Sequence, residues 1–522
     1  MAEEKYPIGI QTFEQLIEGG FTYIDKTRFV TQLVRNDGYY FLSRPRRFGK
    51  SLLLSTLHAY FDGRRELFKG LYIDTADVDW TPVPVIHFDL NSEVFKDRDG
   101  LENLLNRLLS EYEQTYDINE KDVTIAGRFS QLIRKVYNKT GQRVVILVDE
   151  YDKPLLEIEE NRELFERNQA LLKAFFGNLK SMDRYIKFAF LTGVARFNKV
   201  SIFSDLNNLY DISLNNKYAD ICGWTEREMT ESFPEGIRRL AEKRGYGYEE
   251  TVEALRDYYD GYIFTEEGSR LYNPFSVLQA LESGQIEPYW FEGGTPTFLA
   301  KRVKACGISL PNLNEQFCQR HDLMEVGFGT GSPIGLMFQT GYLTIDHYDE
   351  NLQMYKLRFP NHEVEIGFAR QLMPLYIPDS NISSQPFSLM NFRVSLVKGD
   401  PEGFMKRLQT LCKEMPYESQ NEDNYRSIVW LLCTLCGTDA LAERHSYKGR
   451  SDLEVTTRDF IYVFEFKYGE SVEAAMDQLH ERDYAGHYAL NSRQVYLVGA
   501  NFSTLRDKGR GLTGWKIEKL NF

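Results

Sequence analysis

One basic, glycine-containing loop constrains this chain more than any other feature in it. Tyr39 to Leu42 reads as a strand and Lys50 to Phe61 as a helix, and Ser43-Arg44-Pro45-Arg46-Arg47-Phe48-Gly49-Lys50-Ser51 joins them. A phosphate-binding loop must lie at such a junction. Backbone N–H groups and the N-terminus of the following helix then point at the bound anion. On this reading Arg46, Arg47, Phe48 and Gly49 form the cradle, Lys50 reaches the β and γ oxygens, and the Ser51 hydroxyl ligates magnesium. The usual pattern has a glycine five residues before the Gly-Lys-Ser triplet, and here that position is Arg44. A side chain there opposes the usual backbone path. Arg46 and Arg47 are expected to compensate by contacting phosphate directly. By itself the triplet also fits a basic turn that caps a helix.

A second feature favours the phosphate loop. Val144-Val145-Ile146-Leu147-Val148-Asp149-Glu150 is a continuously apolar, β-branched run ending in two acids, the pattern of a buried strand. Such a strand delivers Asp149 to the magnesium shell and leaves Glu150 to orient an attacking water. A third strand, Phe188 to Val194, leads into Thr192-Gly193-Val194-Ala195-Arg196. Ligands sit at the carboxyl ends of parallel strands, so Thr192 is a candidate sensor of the γ-phosphate and Arg196 a candidate charge acting on it. For both, an ordinary loop position is the competing reading. Strands alternating with helices imply an α/β domain with a largely parallel sheet.

Several strings together resemble the bacterial AAA-ATPase-like family. They are Tyr23-Ile24-Asp25-Lys26-Thr27, the loop from Arg44 to Ser51, Asp149-Glu150-Tyr151-Asp152-Lys153-Pro154-Leu155, Leu191-Thr192-Gly193 followed by Ser201 to Asn208, and Tyr259-Asp260-Gly261-Tyr262. The resemblance covers roughly residues 5–275. It implies a P-loop ATPase module using ATP and Mg²⁺, and the arginine at position 44 belongs to the family's own loop. Members commonly carry a C-terminal nuclease-like domain of the PD-(D/E)XK type.

The rest of the chain reads as follows. Residues 225–285 look helical with a break at Tyr259 to Tyr262. A helix ending near Gly341 and an alternating hairpin, Leu343 to Leu357, suggest a winged-helix-like module. Residues 385–440 are helical, and 450–500 return to strand, helix, strand. We therefore expect an AAA-like domain at 1–215, a helical lid and winged-helix-like region at 216–380, and a restriction-endonuclease-like α/β domain at 381–522. The longest apolar runs are too short to span a bilayer, and the N-terminus lacks a basic-then-apolar export signal. Six cysteines in 522 residues are no disulfide framework, so a cytoplasmic location fits.

The formal net charge of −14 argues against indiscriminate coating of nucleic acid. Charge is uneven, however. Residues 441–522 hold 12 Lys and Arg against 12 Asp and Glu, and Arg506 to Lys519 holds five basic residues against two acidic. Any nucleic-acid contact, to DNA or RNA, is therefore expected at the C-terminal end rather than elsewhere.

That end has its own chemistry. Asp452 is followed by Tyr462-Val463-Phe464-Glu465-Phe466-Lys467 across a polar turn, which reads as a hairpin. Side chains alternate along a strand, so Glu465 and Lys467 share a face. If Asp452 starts the partner strand on that face, two carboxylates and an ammonium converge, a donor set suited to Mg²⁺ or Mn²⁺. A solvated hairpin with a cross-strand ion pair is the competing reading. A helix from Ser471 to Tyr488 and a strand from Gln494 follow. This order resembles PD-(D/E)XK nucleases over roughly residues 420–520. By that resemblance Asp452, Glu465 and Lys467 match the catalytic motif, Gln478 and Tyr484 match accessory helix positions, and Glu443 corresponds to an upstream acid. Ser451-Asp452 replaces the literal Pro-Asp. Cys433 and Cys436 form a C-x-x-C without a second pair at zinc spacing, and are read as buried thiols.

The expected protein binds and hydrolyses ATP: a P-loop ATPase joined to a metal-dependent nuclease. The alternative is an ATP-responsive switch whose C-terminal domain binds nucleic acid or a protein without cutting. No membrane contact is expected, and a homo-oligomer is left open.

Overall fold

The computed structural model describes residues 4–91, 93–158, 160–196, 208–293, 297–324, 332–377, 389–414, 422–436, 439–442, 445–446, 449–450, 452–482, 488, 492–503 and 511–521. The chain forms two compact units, residues 1–293 with 317–363, and residues 294–316 with 364–522.

The first unit is built on a five-stranded sheet. Its strands are β1 (Tyr39–Ser43), β2 (Val85–Asp89), β3 (Val144–Asp149), β4 (Ile186–Gly193) and β5 (Leu209–Asp211), in the order β2-β3-β4-β1-β5. Every pairing is parallel, as the alternation of apolar runs and helices requires. β3 is buried along its whole length, which explains why it reads as unbroken Val, Ile and Leu rather than as an alternating strand. Helices Lys50–Phe61 and Ile125–Thr140 pack on it. Thr124 caps the second by accepting from the Gly127 N–H, and Gly141 closes it with φ 72°.

After the sheet the chain becomes helical, with Glu226–Ser232, Pro234–Arg244, Tyr248–Tyr259 and Pro274–Ser283. Thr225 and Glu228 form a capping box on the first, and Asn273 caps the last. Their apolar faces share a core of Trp224, Phe233, Leu240, Leu255, Tyr259 and Tyr272, onto which Ile24 and Tyr6 pack. The expected break falls where the third helix ends. Gly261 has φ 107°, and a Cβ there would lie 2.1 Å from the Pro360 carbonyl oxygen, so only glycine fits. Helix Ile334–Thr340 ends at Gly341 (φ 88°) and leads into the hairpin of β7 (Thr344–Asp349) and β8 (Met354–Arg358), which β6 (Gln316–Cys318) extends. This is the helix-plus-hairpin expected from the sequence.

The second unit carries a mixed sheet. β9 (Asp439–Ala442), β12 (Leu453–Thr456), β13 (Phe460–Tyr468), β14 (Gln494–Ser503) and β15 (Gly511–Leu520) lie in the order β15-β14-β13-β12-β9. The short strands β10 (His445–Ser446) and β11 (Gly449–Arg450) form a separate antiparallel ladder. β13 and β14 are parallel, and the other pairs in the main sheet are antiparallel. Two parallel neighbours need a crossover, and helix Val472–Glu481 supplies it, packed on both strands. Its Met476 and Leu479 meet Ile461, Val463, Val495 and Leu497. The sequence suggests a longer helix, to Tyr488, and leaves β15 unassigned because Arg506 to Lys519 reads as a basic tail. The division of the chain into 1–215, 216–380 and 381–522 is a proposal. No helix among the described residues is long and apolar enough to cross a membrane.

Candidate functional sites at two sheet ends

The loop after β1 turns at two left-handed residues, Arg47 (φ 67°) and Gly49 (φ 95°), and Gly49 caps helix Lys50–Phe61. Arg44 is not among the positive-φ residues, so the position where a glycine is usual needs none here. Its guanidinium is fully buried. It donates to the carbonyls of Ser43 (2.9 Å), Ser213 (2.8 Å), Tyr218 (3.2 Å) and Ala219 (3.3 Å), and stacks over Phe264 at 4.4 Å. Burial pushes its pKa down to about 10. Arg44 thus ties the loop to the segment after β5. Phe48, also buried, anchors the loop's other half edge-on against Tyr262 and Phe264.

Lys50 is buried and donates to the carbonyls of Arg44 (2.9 Å) and Pro45 (3.0 Å), the geometry of an ammonium held over its own loop. A cavity of about 510 Å³ runs past it. Lys50, Ser51 and Glu150 line that cavity together with Ile10, Tyr23 and Trp224. Arg46, Arg47, Phe48 and Gly49 line it too. Arg47 donates to the Tyr289 carbonyl at 3.0 Å and lies 3.7 Å above the Phe275 ring. The Tyr23 to Thr27 string lines the cavity through Tyr23, Ile24 and Lys26 and also braces it. Asp25 accepts from the N–H groups of Thr27 (2.8 Å) and Tyr72 (2.7 Å), and Lys26 pairs with Glu228 at 2.7 Å.

The acids sit at the end of β3. Asp149 is buried, and its Oδ1 accepts from the Thr192 hydroxyl (2.5 Å) and the Glu150 N–H (3.1 Å). Thr192 is itself fully buried on β4, so it positions Asp149 rather than facing the cavity. Glu150 adopts φ 50°. Burial raises its carboxyl above the usual range, opposed first by the charge of Lys50. Arg196 is turned elsewhere. It pairs with Asp211 and lines a different cavity, shared with Arg320 and Tyr348.

Asp152 is a residue that motif reasoning passes over. Its Oδ2 accepts from the N–H groups of Val194 (2.9 Å) and Ala195 (2.5 Å), which clamps the acid loop to the end of β4. Its Oδ1 is buried without a hydrogen-bond partner, and burial pushes its pKa up to about 7. A Cβ on Gly193 would lie 2.6 Å from that oxygen and 2.6 Å from the Tyr151 ring. The only sequence trace of this clamp is a third acid two residues after Glu150.

In the second unit, Leu453 pairs with Phe464 and Glu454 with Val463. Continuing that register puts Asp452 opposite Glu465, on the face shared by Glu454, Glu465 and Lys467. Asp452 Oδ2 accepts the Phe466 N–H at 2.7 Å, which fixes the carboxylate beside Glu465. Its Oδ1 pairs with Arg426 from helix Glu422–Leu435. Glu465 is buried, and Lys467 Nζ donates to its Oε1 (2.9 Å) and to Gln478 Oε1 (2.5 Å). The expected partners Asp452, Glu465, Lys467 and Gln478 thus come together. Tyr484 and Glu443 lie outside the described residues. Two members were not anticipated. Glu454 is buried and accepts from the Tyr488 hydroxyl at 2.6 Å. Its position two residues after Asp452 was the available signal. Arg426, far away in sequence, offered none.

Two buried carboxylates on one face fit a hard divalent cation. Among the described residues, however, no three His, Cys, Asp or Glu side chains converge on one. Cys433 and Cys436 are buried and unbridged, with their thiols pushed up by burial, as expected of core residues.

Comparison with known proteins agrees with this layout. Residues 7–203 match the family model described as "Predicted AAA-ATPase", and residues 420–508 match the PD-(D/E)XK nuclease superfamily. The chain is 35% identical to the "Uncharacterized protein in vnfD 5'region" of Azotobacter chroococcum mcd 1, over all of both chains. A solved structure of the Aeropyrum pernix ORC2 protein in its ADPNP-ADP complexes aligns over 69% of this chain and 93% of its own. It does so at 11% identity and a TM-score of 0.25, which is too low for any argument about fold. From the family models and the full-length relative, the chain belongs to the AAA-ATPase-like family, with a PD-(D/E)XK nuclease superfamily domain at its C-terminal end.

Proposed function

We propose that this protein binds and hydrolyses ATP with Mg²⁺ and cuts nucleic acid phosphodiester bonds with a second divalent-metal site in its C-terminal unit. One observation carries the reading. A single cavity brings the helix N-terminus after Gly49, the Lys50 ammonium, the Ser51 hydroxyl and the Glu150 carboxylate together with apolar and aromatic walls. That combination suits a polyanion attached to a flat heterocycle.

Lys50 and the loop N–H groups would hold the phosphates, with Arg46 beside them. Ser51 and Asp149 would hold Mg²⁺, and Thr192 keeps Asp149 in its rotamer. Glu150 would orient the attacking water and accept its proton. In the second unit, Asp452 and Glu465 would hold Mg²⁺ or Mn²⁺, which supplies Lewis-acid charge and an acidified water when bound. Lys467, steadied by Gln478, would position the nucleophile and offset charge developing on the phosphate. Nucleic acid, DNA or RNA, is the substrate class.

Calorimetry with Mg·ATP tests the first site. Binding is expected for the wild type and none for Lys50→Ala, and undiminished affinity in the variant would remove the assignment. Nicking assays with Mn²⁺ test the second site, where Glu465→Ala is expected to be inactive. Cleavage that persists in that variant would point to another site or a contaminant.

One observation favours a second reading. Arg426 already occupies one oxygen of Asp452, as it would in a domain that grips nucleic acid without cutting it. Phosphate release and nicking, measured with and without DNA, separate the two. Binding without either turnover supports the switch.

A further inference from the structure

We propose that Lys153 is a second phosphate-side cation of the nucleotide cavity, one that contacts the γ-phosphoryl oxygens as the bond to the leaving diphosphate breaks. The inference rests on the nucleotide reading above and adds a residue that neither the phosphate loop nor the two acids at the end of β3 supplies.

Lys153 opens the short helix Lys153–Leu156, and its N–H donates to the Glu150 carbonyl at 3.1 Å. The two side chains therefore leave the backbone one turn apart at the carboxyl end of the sheet. Both line the cavity that Lys50 and Ser51 line. The Lys153 side chain is only 15% exposed, unusual for a lysine unless something holds it. Its hydrogen bonds go to a neutral residue, and one acid pairs with it loosely. Its Nζ donates to the carbonyl and to the side-chain oxygen of Asn91, each at 2.7 Å, and Glu157 stands 3.5 Å away. Asn91, just beyond β2, also lines the cavity. An ammonium has three N–H donors. Asn91 takes two and fixes the direction of the group, and the Glu157 carboxylate at 3.5 Å is too far for a strong hydrogen bond, which leaves the third N–H for a phosphoryl oxygen at ordinary charge-assisted distance.

The distribution of charge points the same way. The cations whose fields act on Glu150 are Lys50, Arg46 and Lys153. Other arginines near the loop have structural partners: Arg44 with four carbonyls, Arg47 with Tyr289 and Phe275, and Arg196 with Asp211. In the step itself, water forms the new P–O bond and Glu150 takes its proton. The bond from the γ-phosphorus to the bridging oxygen breaks, and that oxygen keeps the electron pair. Negative charge spreads over the γ oxygens, and Lys153 meets it there.

The test uses the full chain. Mg·ATP affinity, steady-state turnover and affinity for ADP with aluminium fluoride, a mimic of the flattened phosphoryl group, are measured for the wild type, Lys153→Met and Lys153→Arg. For Lys153→Met we expect turnover to fall about 100-fold or more, with ATP affinity within about threefold and aluminium fluoride affinity falling in parallel with turnover. Lys153→Arg should recover part of both losses. Turnover of Lys153→Met within twofold of wild type, or an ATP affinity that falls as far as turnover does, would overturn the assignment. So would a wild type that binds Mg·ATP and never hydrolyses it. A wild type that binds no nucleotide at all would instead remove the reading of the cavity. Thermal melting of each variant, and the arginine variant in particular, separates loss of charge from loss of fold.

Discussion

Replacing Arg44 by glycine restores the usual phosphate-loop pattern, yet it is expected to damage the site. The guanidinium makes four hydrogen bonds to carbonyls, three of them to Ser213, Tyr218 and Ala219, well beyond the loop. Removing one partner of a buried, hydrogen-bonded charge destabilises by roughly 3–5 kcal/mol, because the groups left behind stay buried without a partner; here those groups are the carbonyls of Ser213, Tyr218 and Ala219. The same truncation relieves the burial that pushes the Arg44 pKa down to about 10 and gives up the stack over Phe264, so the expected loss stays within that range. Urea denaturation reads the stability, and calorimetry with Mg·ATP reads the site. We expect a lower midpoint and affinity weakened tenfold or more, because a loop freed from its anchor must be ordered by the ligand. A variant with unchanged midpoint and equal or tighter binding would show that Arg44 is a tolerated substitution and not an anchor.

Three further outcomes follow from particular contacts. Gly193→Ala forces a Cβ to within 2.6 Å of the Asp152 carboxylate and the Tyr151 ring. It should lower stability by about 1–3 kcal/mol and slow ATP turnover, and an unaltered melting temperature would show that the clamp yields easily. Glu363, buried beside Trp290, has its pKa pushed up to about 8 by burial, so the folded state holds a proton that the unfolded chain releases near pH 4.5. Its contribution is complete below that pH and is lost as pH rises toward 8, at up to about 1.4 kcal/mol per pH unit. Glu363→Gln should flatten this slope in denaturation curves taken between pH 5 and 8.5, and an identical slope would refute the assignment. Arg426→Ala leaves Asp452 without its cation. Melting temperature should fall, and Mn²⁺ should raise it more in the variant than in the wild type; equal metal effects would argue that Asp452 is no ligand.

Much was legible in the sequence because it depends on local rules. β3 announces itself as five apolar residues followed by acids, since a strand covered on both faces has no room for alternation. Helix Lys50–Phe61 begins where Gly49 meets Lys50, and glycines 261 and 341 end elements where only φ above zero continues the chain. The pair Glu465 and Lys467 share a face by the two-residue period of a strand. Its meeting with Asp452 rested on a hairpin register that an antiparallel ladder bore out.

What the order of residues left open was decided by contacts between distant segments. Arg44 reads as a damaged glycine until the carbonyls of Ser213, Tyr218 and Ala219 are seen around it. Arg196 reads as a phosphate contact until Asp211 is found holding it. Thr192 supports Asp149 from the neighbouring strand, and Asp152 reaches across to the N–H groups of Val194 and Ala195. Arg426 and Tyr488 come to Asp452 and Glu454 from separate segments. Periodicity and turn chemistry are written in neighbouring residues. A buried charge, by contrast, takes whatever partner the folded chain brings within hydrogen-bond reach, and no spacing along the sequence records that choice.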